Sequence, residues 1–249
     1  MKQDISKPNP ASELGGANRF GPEFKKKSIR SYVLRGGRMT PGQQKALERH
    51  WQQYRLSLFS GVPCSWQEVF HRSAPLVLEI GFGMGDSLLD MAINEPDKDF
   101  IGIEVYPAGA GRLVNNAVDK GVSNLKIYLA DAVDVLDDCI ADQCLSRAQI
   151  FFPDPWHKKK HHKRRLIQGP LVEKICSKLL VGGVLHLATD WQPYAEHMLE
   201  VLDGVAELEN TEQGGGYCSS RGTRSETKFE RRGLERGHGV WELVYKRSS

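Results

Sequence analysis

Short apolar runs alternate with amphipathic stretches along most of this chain. Five runs have the length and composition of buried strands: 76–80, 100–105, 125–129, 148–152 and 184–188. Between them, apolar side chains recur at helical spacing over five stretches: 86–91, 107–120, 133–140, 168–180 and 192–202. Strands that alternate with helices predict an α/β fold with a mostly parallel sheet and helices on both faces.

Weaker patterns lie at both ends of this alternation. Residues 40–43, Thr-Pro-Gly-Gln, are typical of a helix start and precede helical spacing over 45–58, while 66–70 predicts a short helix. Near the C-terminus, 205–208 and 240–245 are weaker strand candidates, and no helix follows the second. This favours an antiparallel final strand and brings the predicted sheet to seven strands.

The composition separates a short arm from one domain. With 249 residues, 40% of them hydrophobic, the chain can form one α/β domain with a sizeable core. Residues 1–29 contain proline, glycine and lysine but few large apolar side chains, so we expect a disordered basic arm before a single domain at 30–249. No apolar run is long enough for a membrane span. The cysteines lack the spacing of a zinc site, and we interpret them as reduced thiols of a cytoplasmic protein.

Basic residues are concentrated in three places. The net charge of +3 is too small by itself to indicate nucleic-acid binding. However, lysine and arginine cluster at 25–38, 158–165 and 228–236, while acidic residues concentrate near predicted strand ends and at 131–142. This distribution says more about a partner than the total charge does, although a solubilising tail would explain the first cluster equally well.

A glycine turn at 81–85 follows the first strong strand. Gly81, Gly83 and Gly85 allow a tight turn and a close approach of the backbone to a ligand. The dinucleotide fingerprint G-x-G-x-x-G would need glycine at Asp86. Glu79, at the strand end, is unfavourable for a pyrophosphate and favourable for a cation, and S-adenosylmethionine carries a sulfonium and an ammonium but no phosphate. A glycine-rich turn without this ligand, as in any α/β protein, is the alternative.

Acidic side chains follow successive predicted strands, where ligands of such sheets bind. They are Glu79, Glu104, Asp131, Asp154 and Asp190. An acid that binds ribose hydroxyls is expected ~20 residues beyond the glycine turn, and Glu104 lies close to that position. Asp131 is placed to accept from an adenine amino group. Each acid alone could be a helix N-cap, but five in equivalent positions favour a ligand site, and adenosine of either NAD or S-adenosylmethionine would satisfy it.

The most unusual stretch follows the fourth strong strand. Pro153 and Pro155 flank Asp154 and restrict its backbone, and Trp156 comes next. All nine of the following residues, 157–165, are Lys, His or Arg. A basic run alone would be a solvated loop, but its attachment to a rigid Pro-Asp-Pro-Trp segment favours a role beside the ligand.

Together these segments resemble the bacterial tRNA (guanine-N7-)-methyltransferase family. The resemblance rests on 79–85, Ile103-Glu104-Val105, Asp131-Ala132, 152–158, 162–165, Thr189-Asp190 and 227–230 with Arg232-Gly233, and it spans about residues 30–247. It implies a Rossmann-like class I methyltransferase fold. It also implies transfer of a methyl group from S-adenosylmethionine to N7 of a variable-loop guanine in tRNA, with S-adenosylhomocysteine as product.

The resemblance also implies residue roles. The implied cofactor contacts are Glu79, Gly81, Gly83, Gly85, Glu104, Asp131, Ala132 and Asp154, and Asp154 is the implied catalytic residue. The implied substrate contacts are Lys158, Asp190, Thr227, Lys228, Phe229 and Glu230. The implied RNA contacts are Lys160, His161, His162, Lys163, Arg164 and Arg165. No metal, membrane or obligatory protein partner is expected, and we expect a monomer.

The chemistry of guanine agrees with these residues, and three alternatives stay open. Guanine N7 has a lone pair and no proton, so methylation there needs no general base, and positioning should supply much of the rate. One alternative is methylation of an adenine amino group, which uses an Asn/Asp-Pro-Pro-aromatic segment where this chain has Pro153-Asp154-Pro155-Trp156. The others are a non-catalytic RNA-binding module and a dehydrogenase.

Overall fold

The computed structural model describes residues 31–32, 39–58, 65–222, 224, 230 and 239–249. The predicted arm at 1–29 lies outside these residues, as do Thr227, Lys228 and Phe229. The expectations for those positions therefore stay predictions.

The described elements follow the predicted alternation. The strands are β1 (Arg55–Leu56), β2 (Leu76–Ile80), β3 (Asp99–Glu104), β4 (Leu125–Leu129), β5 (Leu145–Phe151), β6 (Leu179–Thr189), β7 (Leu208–Asn210) and β8 (Trp241–Arg247). The helices are α1 (Pro41–Tyr54), α2 (Trp66–Phe70), α3 (Asp86–Asn94), α4 (Pro107–Asp119), α5 (Ala132–Asp138), α6 (Gly169–Lys178) and α7 (Gln192–Asp203), and a 3₁₀ helix covers Lys159–Arg164. None of the described helices is both long and apolar enough to cross a membrane.

The strands form one sheet in the order β1-β4-β3-β2-β5-β6-β8-β7. All neighbours from β1 to β6 are parallel, whereas β8 is antiparallel to both β6 and β7. The predicted mostly parallel sheet with an antiparallel final strand is therefore confirmed. Within the described residues the sheet has eight strands rather than seven, because β1 adds a pair of residues beside Ile127 and Tyr128 of β4. Two residues are too few to produce a recognisable strand pattern.

Apolar layers cover both faces of the sheet. Leu76, Leu78 and Ile80 of β2 belong to one buried cluster with α5, α6 and α7. Val77, between them, belongs to the other cluster with α1, α3 and α4. Successive side chains of a strand point to opposite faces, so a strand buried on both faces is apolar throughout. Glu79 is the one acidic residue in this buried strand.

Helix α1 begins with a capping box and supports α4. The Thr40 side chain accepts from the Gln43 N–H at 3.3 Å, and the Gln43 side chain accepts from the Thr40 N–H at 2.8 Å. The helix ends at Tyr54 rather than at residue 58 because the chain enters β1. A Cβ at Gly111 of α4 would lie 2.8 Å from the Gln43 carbonyl oxygen, so the two helices pack with backbone contact. This packing sets the position of α4.

Candidate active site

The glycine turn at 81–85 lies open above β2. Gly81 and Gly83 have φ values of +77° and +59°, which L side chains rarely adopt, and a Cβ on either would meet nothing within 4 Å. Gly85 (φ +78°) differs, because a Cβ there would lie 2.8 Å from the Leu113 side chain. The first two glycines therefore leave space for a ligand, and the third permits packing against α4.

Glu104 fastens the turn to the end of β3. Its Oε2 accepts from the Gly83 N–H at 2.8 Å, and its Oε1 accepts from the N–H groups of Val105 and Tyr106 at 2.6 and 3.2 Å. Burial raises the pKa of this carboxyl, although the three backbone donors oppose the rise. Each carboxylate oxygen has two acceptor positions, so one position, on Oε2, remains for a hydroxyl donor. A Cβ at Gly109 would lie 2.0 Å from the Gly83 carbonyl oxygen, which brings the start of α4 against the turn.

Glu79 is a buried carboxyl at the end of β2. The Gln149 amide of β5 donates to its Oε2 at 2.7 Å. Burial raises the pKa of Glu79 to about 7, and the charge of Glu104 adds to the rise, while the Gln149 bond and the charges of Arg147 and Arg224 oppose it. A group with this pKa gains a full negative charge when a cation approaches it. Sequence reasoning missed Gln149, whose only signal is an amide within an apolar strand.

Asp131 follows β4 and also caps α5. Its Oδ1 accepts from the Val133 N–H at 2.9 Å, so the structure bears out the N-cap alternative. Its Oδ2 accepts from the Tyr32 hydroxyl at 3.2 Å, which brings the chain before α1 to this strand end. Ala132 is the buried first residue of the helix. Asp131 thus caps α5 at the carboxyl edge of the sheet, where ligands of such sheets bind.

Residues 152–156, the elbow, present Asp154 to solvent. Phe152 and Trp156 adopt left-handed φ values of 51° and 47°, uncommon for aromatic residues. Pro153 and Pro155 restrict the chain between them. Asp154 itself is exposed. The elbow is thus a strained, restricted segment, and such strain persists where surrounding structure holds it.

A buried charge network supports the elbow from below. The Arg224 guanidinium lies 5.4 and 5.1 Å from the ring centroids of Phe151 and Phe152. Its Nε donates to Glu242 of β8 at 3.0 Å, and its two terminal nitrogens bind Glu230 at 2.6 and 2.9 Å. Glu242 also contacts His186 Nε2 of β6 at 2.7 Å. Burial disfavours the charged guanidinium, but the two carboxylates hold its pKa above the ordinary value.

This network buries Glu230, whereas the predicted substrate contact would need an accessible side chain. Its side chain is 2% exposed, and both carboxylate oxygens are ion-paired with arginine. Sequence reasoning also missed Arg224, His186 and Glu242. Their partners lie on different strands and segments, so no local pattern indicates them.

The basic 3₁₀ helix follows the elbow. Lys158, Lys160 and Lys163 are exposed, whereas His161 and His162 are partly buried. The Arg164 guanidinium lies 5.2 Å from the centroid of the Trp156 ring. Over the described residues, no three His, Cys, Asp or Glu side chains form a group that could hold a metal ion.

Arg165 lies inside the protein. Its Nε donates to the Pro155 carbonyl at 3.0 Å, and its guanidinium lies 4.8 Å from the centroid of Tyr194. Only 4% of the residue is exposed. These two contacts join the elbow to α7, and the burial of Arg165 disfavours the RNA contact predicted at this position, which stays a prediction.

Asp190 and Trp191 extend from the end of β6 toward the elbow. Both are exposed, and the Trp191 ring meets the His157 ring with centroids 4.4 Å apart and an interplanar angle of 85°. The structure therefore brings the ends of β5 and β6 together, while Glu79, Glu104 and Asp131 lie at the ends of the neighbouring strands β2, β3 and β4.

Comparison with known proteins decides the family. A family model described as "Putative methyltransferase" matches residues 73–243. The tRNA (guanine-N(7)-)-methyltransferase of Saccharophagus degradans is 60% identical over 227 residues, covering 91% of this chain and 99% of that protein. The chain belongs to the tRNA (guanine-N(7)-)-methyltransferase family. A Pseudomonas fluorescens protein of this family is 51% identical over 237 residues, covering 95% of this chain and 98% of its own length.

Solved structures support the fold expected of this methyltransferase family. The 16S rRNA methyltransferase KamB aligns with a TM-score of 0.52 at 14% identity, covering 74% of this chain and 93% of that one. An antibiotic-related methyltransferase aligns with a TM-score of 0.50 at 14% identity, covering 76% and 94%. At such identities the likeness shows the fold alone. The Rossmann-like methyltransferase fold that the motifs implied is confirmed.

Proposed function

We propose that the protein transfers a methyl group from S-adenosylmethionine to N7 of the variable-loop guanine in tRNA, leaving S-adenosylhomocysteine. The observation that carries the proposal is the arrangement of acids at one sheet edge. Glu79, Glu104 and Asp131 lie at the ends of three neighbouring strands, one of which leads into an open glycine turn, and Asp154 stands exposed on a strained elbow beside a basic helix. Relatives named for this activity match nearly the full chain.

The residues present fit S-adenosylmethionine. The space above Gly81 and Gly83 admits a ligand close to the backbone. Glu104 can accept from a ribose hydroxyl, and Asp131 with Ala132 can bind the adenine edge. Glu79 supplies a buried negative charge for a cationic ligand. The bound cofactor supplies a methyl group on a positively charged sulfur.

Asp154 and Asp190 are the residues that we assign to guanine. An exposed carboxylate can accept from guanine N1–H and the N2 amino group, which adenine does not offer in that arrangement. Positive charge develops on the purine as N7 is alkylated, so a fixed carboxylate stabilises it. The restricted backbone of the elbow keeps the Asp154 carboxylate in place, and no proton has to leave N7.

The exposed lysines provide the contact with the tRNA backbone in this proposal. Lys158, Lys160 and Lys163 project from the segment that continues the elbow. Phosphate contacts position a nucleic acid without reading its sequence. The same segment therefore joins RNA binding to the presentation of the target base.

The test is incubation of the full chain with bulk tRNA and methyl-labelled S-adenosylmethionine, followed by identification of the labelled nucleoside. We expect 7-methylguanosine, and we expect Asp154→Asn to lose most of the label. A methylated adenosine would favour the amino-group alternative. Absence of both label and cofactor binding would favour the RNA-binding module.

A further inference from the structure

Trp191 is an exposed aromatic side chain next to the proposed guanine-binding acids. Five large hydrophobic side chains of the described residues are exposed: Met84, Ile93, Leu180, Val181 and Trp191. Trp191 is the aromatic one among them, with 38% of its surface accessible. It immediately follows Asp190 at the carboxyl end of β6, where ligands of such sheets bind.

Contacts of both the backbone and the ring hold Trp191 in a defined place. Its backbone N–H donates to the Thr189 hydroxyl at 3.3 Å, and Trp191 is the N-cap residue of α7. The ring of His157, three residues beyond Asp154, meets it at 85° with centroids 4.4 Å apart. Such an edge contact covers at most one indole face, and 38% of the residue remains accessible.

We propose that the free face of Trp191 is the stacking surface for the target guanine, and that His157 is a positioning residue for the indole. This inference rests on the proposed function. Sequence-specific RNA recognition uses unstacked bases placed on aromatic side chains and hydrogen-bonded along their edges. Here Trp191 supplies the stacking face, and the flanking Asp154 and Asp190 supply the edge acceptors.

The expected effect follows from the contribution of a base–aromatic stack to nucleic-acid binding. Replacing such an aromatic residue by alanine typically weakens a nucleic-acid contact about 5- to 150-fold. Trp191→Ala should therefore lower kcat/KM by that factor, while Trp191→Phe should recover most of it. The cofactor dissociation constant should stay unchanged in both variants.

Leu180→Ala is the matched control. Leu180 is an exposed apolar residue at the opposite end of β6 from Trp191, so its removal should leave kcat/KM unchanged. His157→Ala should lower kcat/KM less than Trp191→Ala, and His157→Phe should restore it because an aromatic edge remains. Failure of His157→Phe to restore activity would assign His157 to a charge contact instead.

Fluorescence shows whether the stacked base is the target. Subtracting the spectrum of Trp191→Phe from that of wild type isolates the Trp191 signal. Intact tRNA at a saturating concentration should quench this signal. Saturating tRNA with an abasic site in place of the variable-loop guanine should not. Equal quenching by both RNAs, or wild-type kinetics in Trp191→Ala, would overturn the inference. Failure of wild type to methylate intact tRNA would instead overturn the proposed function.

Discussion

Glu79→Gln should make cofactor binding independent of pH in the range where the wild type depends on it. The wild-type carboxyl has a pKa of about 7 in the folded protein, above its ordinary value of 4.5, because it is buried. A cationic cofactor binds the ionised form. Gln149 donates to this side chain, and glutamine offers a carbonyl oxygen in the same place, so the variant keeps that hydrogen bond.

The size of the effect follows from the pKa. At about pH 6 a group with a pKa near 7 is about 90% protonated, so binding must release nearly one proton. Cofactor affinity of the wild type should then be roughly tenfold weaker at about pH 6 than at about pH 8. Arg147 and Arg224 lower the pKa and Glu104 raises it, and all three remain in the variant.

Isothermal titration calorimetry in two buffers of different ionisation enthalpy measures this proton release directly. Wild type should release close to one proton at the lower pH and almost none at the higher pH, and Glu79→Gln should release none at either. Equal proton release by the two proteins would refute the reasoning, because the titrating group would then lie elsewhere.

The same pKa makes a prediction about the cofactor-free protein. The folded state binds a proton at Glu79 more tightly than the unfolded state does, so stability is lost as pH rises from about 4.5 to about 7. The difference between these two pKa values corresponds to about 3 kcal/mol in the free energy of unfolding. Glu79→Gln should therefore raise the free energy of unfolding at about pH 8 by up to that amount, measured by urea denaturation. An unchanged or lower free energy would contradict the assigned burial cost.

Three further variants test the substrate side. Asp154→Asn should lower kcat at saturating cofactor by on the order of a hundredfold, as loss of a fixed electrostatic group does, and near-wild-type turnover would exclude that role. Lys160→Ala combined with Lys163→Ala should weaken tRNA binding and reduce the salt slope by nearly one unit for each lost contact, by analogy with duplex DNA; filter binding over a salt series would detect an unchanged slope. Arg165→Ala should instead cost about 1–3 kcal/mol of folding stability with the salt slope preserved, because its guanidinium binds the Pro155 carbonyl. A slope reduced as in the lysine double variant would place Arg165 at the RNA.

That the residues of the proposed cofactor site lie at one sheet edge could be predicted, because each lies at the end of its own strand. Glu79, Glu104 and Asp131 are read from local patterns, and parallel strands bring their carboxyl ends to one edge. The glycine turn is equally local as a sequence signal, because its three glycines with positive φ lie within five consecutive residues. For these positions, recognising the strands was sufficient to predict the neighbourhood.

The support beneath the elbow could not be predicted. Arg224 joins Glu242 on β8, Glu230 and two phenylalanine rings, and those partners are brought together only by the completed sheet. The inward turn of Arg165 has the same origin, since nothing in a run of basic residues marks the one that meets Tyr194. Contacts between distant segments leave no periodic signal in the chain.

The strand order divides the site into two halves. From β2 the chain proceeds through β3 to β4 on one side, then crosses to β5 and β6 on the other. The crevice opens where these directions diverge. One half contributes Glu79, Glu104 and Asp131, and the other contributes Asp154 and Asp190. The halves belong to separate stretches of chain. In the proposed function, substitutions after β5 and β6 would therefore change which nucleobase is presented and leave the half that binds the methyl donor intact.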